Sequence, residues 1–183
     1  MNPTGLAFFE TAIGPCGIAW NDAGIVSVQL PETSADATLA RLSRRVRNPV
    51  VAAPTPAAED AIDGIIALLR GQAHDLTHIP LDMGSLPAFH CRVYEITRGI
   101  KPGTTRTYGE IARQLGKPGA SRAVGQALGQ NPFAIIVPCH RVLAAGGKPG
   151  GFSAAGGVTT KLRMLAIEGA RPVAARGLFD AME

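Results

Sequence analysis

A short motif that follows a run of apolar residues places the strongest constraint on this chain. Residues 133–137 are all apolar, and they lead directly into Pro138-Cys139-His140-Arg141 and then into a glycine-rich loop. We expect the apolar run to be a buried strand that delivers the cysteine sulfur to the edge of a packed core. A cysteine is a strong nucleophile only as the thiolate, and a neighbouring imidazole is a common base for generating one. The motif therefore indicates a nucleophile in a pocket, although a small buried cysteine beside a surface histidine has the same sequence.

The composition argues against a membrane protein and against a disulfide-stabilised one. The 183 residues fit one large domain or two small ones, and 46% of them are apolar, which is enough for a hydrophobic core. No run of about 18 apolar residues is present, and the N-terminus lacks the basic segment of a secretory signal. The three cysteines, Cys16, Cys91 and Cys139, form no close pair, so we expect neither a disulfide framework nor a Cys-x-x-Cys site. These features predict a cytoplasmic protein in a reducing compartment.

The net charge of +4 is unevenly distributed along the chain. Residues 1–85 hold five arginines and nine carboxylates, which gives −4, whereas residues 86–170 hold eleven Lys or Arg and three Glu, which gives +8. A segment this basic is typical of a module that binds a polyanion. Ordinary solvated surface has the same composition, so the charge alone leaves nucleic-acid binding open.

The first half predicts a small mixed α/β domain over residues 1–85. Three strands with tight turns are expected first, over residues 6–12, 17–20 and 25–30, with Gly14-Pro15 as the first turn. Ser34 is expected to cap a helix that extends to Arg45, and residues 58–69 have the apolar spacing of a second helix. Residues 80–87 are expected to be a linker.

The second half predicts a mostly helical domain over residues 86–172, followed by a tail over residues 173–183. One helix is expected to end before Lys101, Thr107 to cap the next, and Ser121 to open a third that contains Arg122. Two helices joined by a short glycine-containing turn form a helix-turn-helix pattern. The third helix is rich in Ala and Gly, which permits close approach to a DNA groove but equally permits tight packing in a core.

Several motifs of the second half resemble, in order, those of the O6-alkylguanine-DNA alkyltransferases, or methylated-DNA–protein-cysteine methyltransferases. The matching segments are Thr107–Ala112, Ser121–Gly125, Asn131-Pro132, Pro138–Val142 and Lys161–Gly169. The resemblance extends from about Phe89 to Gly169, whereas the first half matches only as a small α/β domain. It implies a two-domain α/β (α+β) fold, with a ribonuclease-H-like N-terminal domain and a winged-helix or helix-turn-helix C-terminal domain.

The resemblance also implies a DNA repair protein that acts once, as a monomer and without a cofactor. Such a protein flips O6-alkylguanine out of double-stranded DNA and transfers the alkyl group irreversibly to its own cysteine. Extrusion is required because the target carbon is buried within the stacked duplex. The attack is an SN2 displacement at the alkyl carbon, which needs a thiolate and a proton for the leaving guanine.

The resemblance assigns roles to individual residues of this sequence. Cys139 corresponds to the alkyl acceptor, His140 to the base that activates it through a water, and Glu168 to the carboxylate that orients the histidine. Tyr108 corresponds to the hydroxyl that helps to bind the base and protonates the leaving guanine. Arg122 corresponds to the side chain that fills the space left by the flipped nucleotide. Further contacts with DNA or substrate are expected of Ala123, Asn131, Val142 and Ser153, and Asn131 is expected to brace the turn before the cysteine.

Two features depart from the family pattern. The loop over residues 150–157 is longer than the Asn-Tyr-Ser-Gly-Gly form of well-known members, and it places Phe152 where a tyrosine often stands. We expect this loop to wall the alkyl pocket and to contact substrate through the backbone N–H of Ser153. The N-terminal domain also lacks the paired Cys and His that some members use for structural zinc, so we predict no metal.

Three other functions fit parts of the sequence. An alkyltransferase-like protein binds alkylated DNA without transfer, but such proteins commonly replace the acceptor cysteine with Trp or Ala, whereas Cys139 is present here. A DNA-binding regulator would use the helix-turn-helix alone, which gives no reason for the Cys139-His140 pair. A cysteine hydrolase would need an oxyanion hole, for which the sequence shows no signal.

Overall fold

The computed structural model describes residues 4–170, which divide into two compact units. The first unit contains the chain up to Leu86 together with Pro132–Ile136, and the second contains Pro87–Asn131 and resumes at Val137. None of the helices within residues 4–170 combines the length and the apolarity that crossing a membrane demands. The domain boundaries predicted from the sequence remain predictions, and the predicted tail over residues 173–183 lies outside the described residues.

The first unit is built on a four-stranded sheet with the strand order β3-β2-β1-β4. Strands β1 (Thr4–Thr11), β2 (Gly14–Asn21) and β3 (Gly24–Gln29) are antiparallel, and β4 (Pro49–Val51) pairs with β1 in parallel. Helices α1 (Ala35–Ser43) and α2 (Pro56–Leu69) pack on this sheet. The mixed α/β class predicted from the sequence is confirmed.

The helix caps of the first unit follow from the sequence. The Ser34 hydroxyl accepts a hydrogen bond from the Ala37 N–H at 3.1 Å, so the predicted cap is confirmed. Thr55 caps α2 in the same way, through the N–H of Ala58 at 3.4 Å. These side chains satisfy backbone donors that would otherwise have no partner in the first helical turn.

One loop prediction for the first unit was wrong. Gly14 and Pro15 begin β2 rather than forming a turn, and the chain reverses over residues 12–13. The linker over residues 80–87 remains a prediction. The start of this segment lies beside β3, since the Pro80 carbonyl accepts from the Ile25 N–H and the Asp82 N–H donates to the Ile25 carbonyl, both at 2.8 Å. Turn-forming residues in the sequence do not reveal that a segment pairs with a strand edge.

Up to residue 170, the second unit consists mainly of four helices. They are α3 (Ala88–Arg98), α4 (Tyr108–Gln114), α5 (Ser121–Gly129) and α6 (Gly157–Ile167), and β5 (Arg106–Thr107) pairs in parallel with β6 (Val142–Leu143). Thr107 caps α4 as predicted and forms a capping box, because its hydroxyl accepts from the Glu110 N–H and its own N–H donates to the Glu110 carboxylate. The buried Tyr94 hydroxyl of α3 donates to the Ala127 carbonyl of α5 at 2.8 Å, which fixes these two helices together.

The apolar run over residues 133–137 is buried as expected, but the prediction that it forms a strand was wrong. Phe133 makes only an isolated bridge to Val28, and the Pro132 carbonyl accepts from the Val28 N–H at 2.8 Å. Ile135 has φ +74°, a left-handed conformation that interrupts any strand. Hydrophobicity reports burial, and a short apolar run does not distinguish a strand from a buried turn.

Candidate active site

Cys139 begins a single 3₁₀ turn, Cys139–Arg141, between Pro138 and β6. The Cys139 N–H donates to the Val137 carbonyl at 2.8 Å, and the side chain is half-buried. Burial raises the pKa of the Cys139 thiol, while a hydrogen bond from Asn131 and the positive charge of Lys161 act in the opposite direction without cancelling it. The sulfur therefore remains a thiol at neutral pH until a base removes its proton.

His140, the next residue of the turn, is a buried base with one nitrogen already committed. Its side chain is 1% exposed, and its Nε2 lies 2.9 Å from Oε1 of Glu168. Burial lowers the pKa of His140 more than the adjacent carboxylate raises it, so the imidazole is neutral at pH 7. A neutral ring must donate from Nε2 to an ionised carboxylate, and this leaves the lone pair on Nδ1. Among the described residues, Nδ1 is buried and has no hydrogen-bond partner.

Glu168 is held by a cation, Arg141, as well as by the neutral histidine. Arg141 donates from Nε to Oε2 at 2.9 Å and from its Nη2 to Oε1 at 2.7 Å, which is a bidentate arrangement. Burial alone would raise the pKa of Glu168, but the hydrogen bonds from His140 and Arg141 outweigh it and lower this pKa to about 2. Arg141 also donates to the Ile100 carbonyl, so the carboxylate and its partners form one fixed network.

A pocket of about 570 Å³ opens beside Cys139 within the second unit. Four of the residues predicted to form the site line it, namely Tyr108, Arg122, Cys139 and Ser153, and Phe152 lines it too. Tyr108 is the first residue of α4, and Arg122 is the second residue of α5 and is exposed. Helix α4, helix α5 and the glycine-rich loop thus supply separate walls around the sulfur.

The Tyr108 ring has little space on the side of the glycine-rich loop. A side chain at Gly150, where φ is +68°, would place its Cβ 3.0 Å from the Tyr108 hydroxyl, whereas a Cβ at Gly125 of α5 would lie 3.8 Å from the ring. Burial raises the pKa of Tyr108, and the charge of Cys139 raises it further. The phenol is therefore protonated at neutral pH and available as a hydrogen-bond donor in the pocket.

The other predicted site residues take supporting positions. Asn131 is buried and donates from Nδ2 to the Val137 carbonyl at 2.9 Å, which braces the chain just before Pro138-Cys139. Val142 is fully buried in β6, and Ala123 is half-buried on α5. In the part of the chain that is described, none of these three lines the pocket. Their roles as contacts with DNA or substrate remain predictions.

Sequence reasoning missed two buried cations, Arg141 and Lys161. Lys161 is 0% exposed, and its Nζ donates to the Val142 carbonyl at 2.6 Å. The available signal was its spacing from Met164 and Leu165, which places the lysine on the apolar face of α6. For Arg141, the sequence gave no sign that Glu168 would lie opposite it, because that contact joins residues 27 positions apart.

A metal site was not predicted, and the described residues contain no group of three His, Cys, Asp or Glu side chains that could hold one. The Cys139 thiol, the His140 imidazole, the Glu168 carboxylate and the Tyr108 phenol all belong to the second unit.

Comparisons with known proteins point to one family. The model of the 6-O-methylguanine DNA methyltransferase DNA-binding domain matches residues 88–170. The methylated-DNA–protein-cysteine methyltransferase of Mycobacterium bovis is 44% identical over 128 residues, which are 69% of this chain and 75% of the relative. That of Mycolicibacterium paratuberculosis is 51% identical over 121 residues, 66% of this chain and 70% of the relative.

Solved structures agree with the sequence matches. The crystal structure of Mycobacterium tuberculosis OGT in complex with DNA superposes with a TM-score of 0.72 at 36% identity, covering 96% of this chain and 99% of that one. The match therefore includes both units and not only the segment that carries the motifs. These matches show that this chain belongs to the family of methylated-DNA–protein-cysteine methyltransferases.

Proposed function

We propose that this protein is a single-turnover DNA repair protein that flips O6-alkylguanine out of duplex DNA and transfers the alkyl group irreversibly to Cys139. The observation that carries the proposal is a thiol at the edge of a pocket, next to a neutral buried imidazole whose orientation is fixed by an ionised carboxylate. The pocket volume lies within the range of ordinary small-ligand sites, so it has room for an extruded base.

The first chemical step is removal of the thiol proton. Because burial keeps Cys139 protonated, the reaction needs a base, and the unpartnered Nδ1 of His140 carries the lone pair that can accept this proton, in this family through a water. The imidazolium that forms is stabilised by Glu168, whose pKa of about 2 keeps it ionised throughout. Arg141 keeps the carboxylate in place while this charge develops.

The second step is displacement at the alkyl carbon. A bond forms between the Cys139 sulfur and the alkyl carbon as the bond from that carbon to O6 breaks, and the electron pair leaves with guanine. The Tyr108 hydroxyl lines the same pocket and supplies a proton to the departing base. The proton that His140 took from the thiol then restores the Tyr108 phenol by way of solvent, so the products are an S-alkyl cysteine and an intact guanine. A thioether is stable in water at neutral pH, so each molecule reacts once.

Recognition of the duplex is assigned to the second unit. Helix α5 presents Arg122 at its exposed start and small residues along its length, which allows the helix to lie against a DNA groove. With the base extruded, Arg122 fills the gap in the stack, and extrusion costs on the order of a few kcal/mol. Ala123, Val142 and Asn131 support this surface, and the backbone N–H of Ser153 contacts the base in the pocket.

The finer fold description is part of the same proposal. The antiparallel meander with two helices supports a ribonuclease-H-like first domain, and α4, its turn and α5 support a winged-helix or helix-turn-helix second domain. A thiol acceptor works only while it is reduced, which favours a reducing cytoplasmic compartment. The protein is proposed to act as a monomer, as the family resemblance implies.

The decisive experiment is an intact mass measurement after mixing the protein with a duplex that contains O6-methylguanine. We expect one added methyl group, located on Cys139 by peptide mapping, and no addition in Cys139→Ala. The Cys139→Ala variant should still bind the duplex, because affinity comes mainly from phosphate contacts. Binding without any mass change in the wild-type protein would instead indicate an alkyltransferase-like protein, and repeated turnover would indicate a hydrolase.

A further inference from the structure

We propose that Lys161 is a positioning residue of this site, which fastens the pocket wall to β6 and keeps a positive charge close to the Cys139 sulfur. The proposal rests on the function above only in taking Cys139 as the nucleophile. The hydrogen bonds of Lys161 go to carbonyls outside the His140–Glu168–Arg141 network, so its influence on His140 is electrostatic.

The contacts of Lys161 connect β6 with the glycine-rich loop of the pocket. Its Nζ donates to the Val142 carbonyl in β6 at 2.6 Å, and it lies 3.4 Å from the Gly151 carbonyl in the glycine-rich loop. The same ammonium lies 5.8 Å from the centroid of the Tyr108 ring and 6.0 Å from that of Phe152, within the range of a cation–π contact. Tyr108, Phe152 and Gly151 all line the pocket, so this cation lies close to three of its lining residues.

Burial of an ammonium is unfavourable unless neighbouring groups compensate for lost water. A fully buried lysine on the apolar face of α6 therefore has a desolvation free energy that Leu or Met at this position would not have. The compensation here comes from two carbonyls and two aromatic rings. The Gly151 carbonyl and the two rings belong to residues that line the pocket, and the other carbonyl is that of Val142 in β6. A residue with only a packing role would not need the charge.

The charge of Lys161 affects the pKa values of the titratable groups around it. Its charge lowers the pKa of the Cys139 thiol and also lowers that of His140, and in return the Cys139 thiolate raises the pKa of Lys161. Tyr108 on α4 is protonated, and Glu168 at the end of α6 is already paired with His140 and Arg141. Burial lowers the pKa of Lys161 to about 8, so the ammonium predominates at neutral pH.

The consequence for the reaction concerns the thiolate. A cation near the sulfur favours the thiolate over the thiol, and the same cation disfavours a second proton on the His140 ring. Lys161 thereby stabilises the nucleophile once its proton has left, while the contact with Gly151 keeps the loop at the distance that the pocket needs. It acts through Cys139 and the loop and not on the substrate.

The first test compares Lys161→Met with Lys148→Met, which removes the same charge from an exposed lysine of the same unit. The rate of Cys139 carboxamidomethylation by iodoacetamide is followed against pH and read by peptide mass. We expect Lys161→Met to react about tenfold more slowly at neutral pH, with its profile displaced to higher pH, and Lys148→Met to match the wild type. Lys161→Arg, which keeps the charge, should lie nearer the wild-type profile than Lys161→Met does. A folded Lys161→Met protein with the wild-type profile would overturn the proposal.

The second test needs no substitution, so it stands even where Lys161→Met does not fold. Coupling between two charged sites is reciprocal, so a fixed negative charge at the Cys139 sulfur must raise the pKa of Lys161. The chain has only four lysines, so ¹³C-labelled lysine gives a simple NMR titration. Cys139 is blocked either with iodoacetate, which leaves a carboxylate on the sulfur, or with iodoacetamide, which leaves a neutral group of the same size. We expect the lysine with the lowest midpoint to titrate at higher pH in the carboxymethylated protein than in the carboxamidomethylated one. Equal midpoints for all four lysines in the two proteins would overturn the proposal, whereas failure of methyl transfer from DNA would leave this result intact and count against the proposed function alone.

Discussion

At the scale of single residues, Glu168 is the group that joins His140 and Arg141 into one hydrogen-bonded network. Its two oxygens accept from His140 and Arg141, and the side chains of all three residues are at most 5% exposed. A buried carboxylate is unfavourable by itself, so this arrangement is stable only because both partners are present. The sequence resemblance predicted the pairing with His140, but the partnership with Arg141 depends on the fold and could not be derived from local sequence.

Glu168→Gln should destabilise the protein at neutral pH by about 3 kcal/mol, because it leaves the Arg141 guanidinium buried without its counter-charge. The pH dependence provides the sharper test. The folded-state pKa of Glu168 is about 2, below its ordinary value of 4.5, so its stabilisation is complete above pH 4.5 and is lost as the pH falls towards 2. Urea unfolding at several pH values should therefore show a flatter acid limb for Glu168→Gln. Glu95→Gln, on an exposed position of α3, serves as the control and should keep the wild-type acid limb.

At the scale of elements, the glycine-rich loop determines the space available to Tyr108. Gly150 and Gly151 are neighbours with different constraints. Gly150 has φ +68°, and a Cβ at this position would lie 3.0 Å from the Tyr108 ring. A Cβ at Gly151 would have no atom within 4 Å. The length of this loop was visible in the sequence. Which of its glycines is obligatory was not, because that depends on backbone angles and on the ring opposite.

Gly150→Ala should lower the free energy of unfolding by about 1–2 kcal/mol, since an L side chain is disfavoured at positive φ. The added Cβ should also displace the Tyr108 ring, and the rate of methyl transfer should fall. Gly151→Ala is the matched control, and its free energy of unfolding should change by no more than about 0.5 kcal/mol. Chemical denaturation and single-turnover transfer measure the two effects, and equal stability of both variants would contradict the assigned role of Gly150.

Elements with strong local signals were predictable, and those set by tertiary contacts were not. Ser34 and Thr107 were identified as caps because a cap is a local arrangement of one side chain and one helical turn. The turn around Ile135 was misread as a strand, and β4 was not predicted, since it is three residues long and wholly exposed. Cys139, His140 and Glu168 were predicted through the order of motifs. The buried position of Lys161 was missed, although its spacing from Met164 and Leu165 indicated the apolar face of α6.

At the scale of the whole molecule, burial determines which cations of residues 86–170 can contact DNA. Of the eleven cations between residues 86 and 170, Arg141 and Lys161 are buried and serve the site, so they do not contribute to a phosphate-binding surface. The cations left to meet DNA include Arg122 at the start of α5, which is exposed and lines the pocket. The first unit remains acidic by comparison, and its arginines are not expected to add to the affinity.

Binding of undamaged duplex should consequently be weak, tolerant of sequence and strongly dependent on salt. Each phosphate contact releases condensed counterions, so the logarithm of the affinity should fall linearly with the logarithm of the salt concentration, by about 0.9 per contact. Arg122→Ala should reduce the steepness of this line by about one contact. Arg70→Ala removes an exposed arginine of the first unit and should leave the slope unchanged. Fluorescence anisotropy over a salt series measures both slopes, and a slope that fell equally in the two variants would mean that the DNA surface extends beyond the second unit.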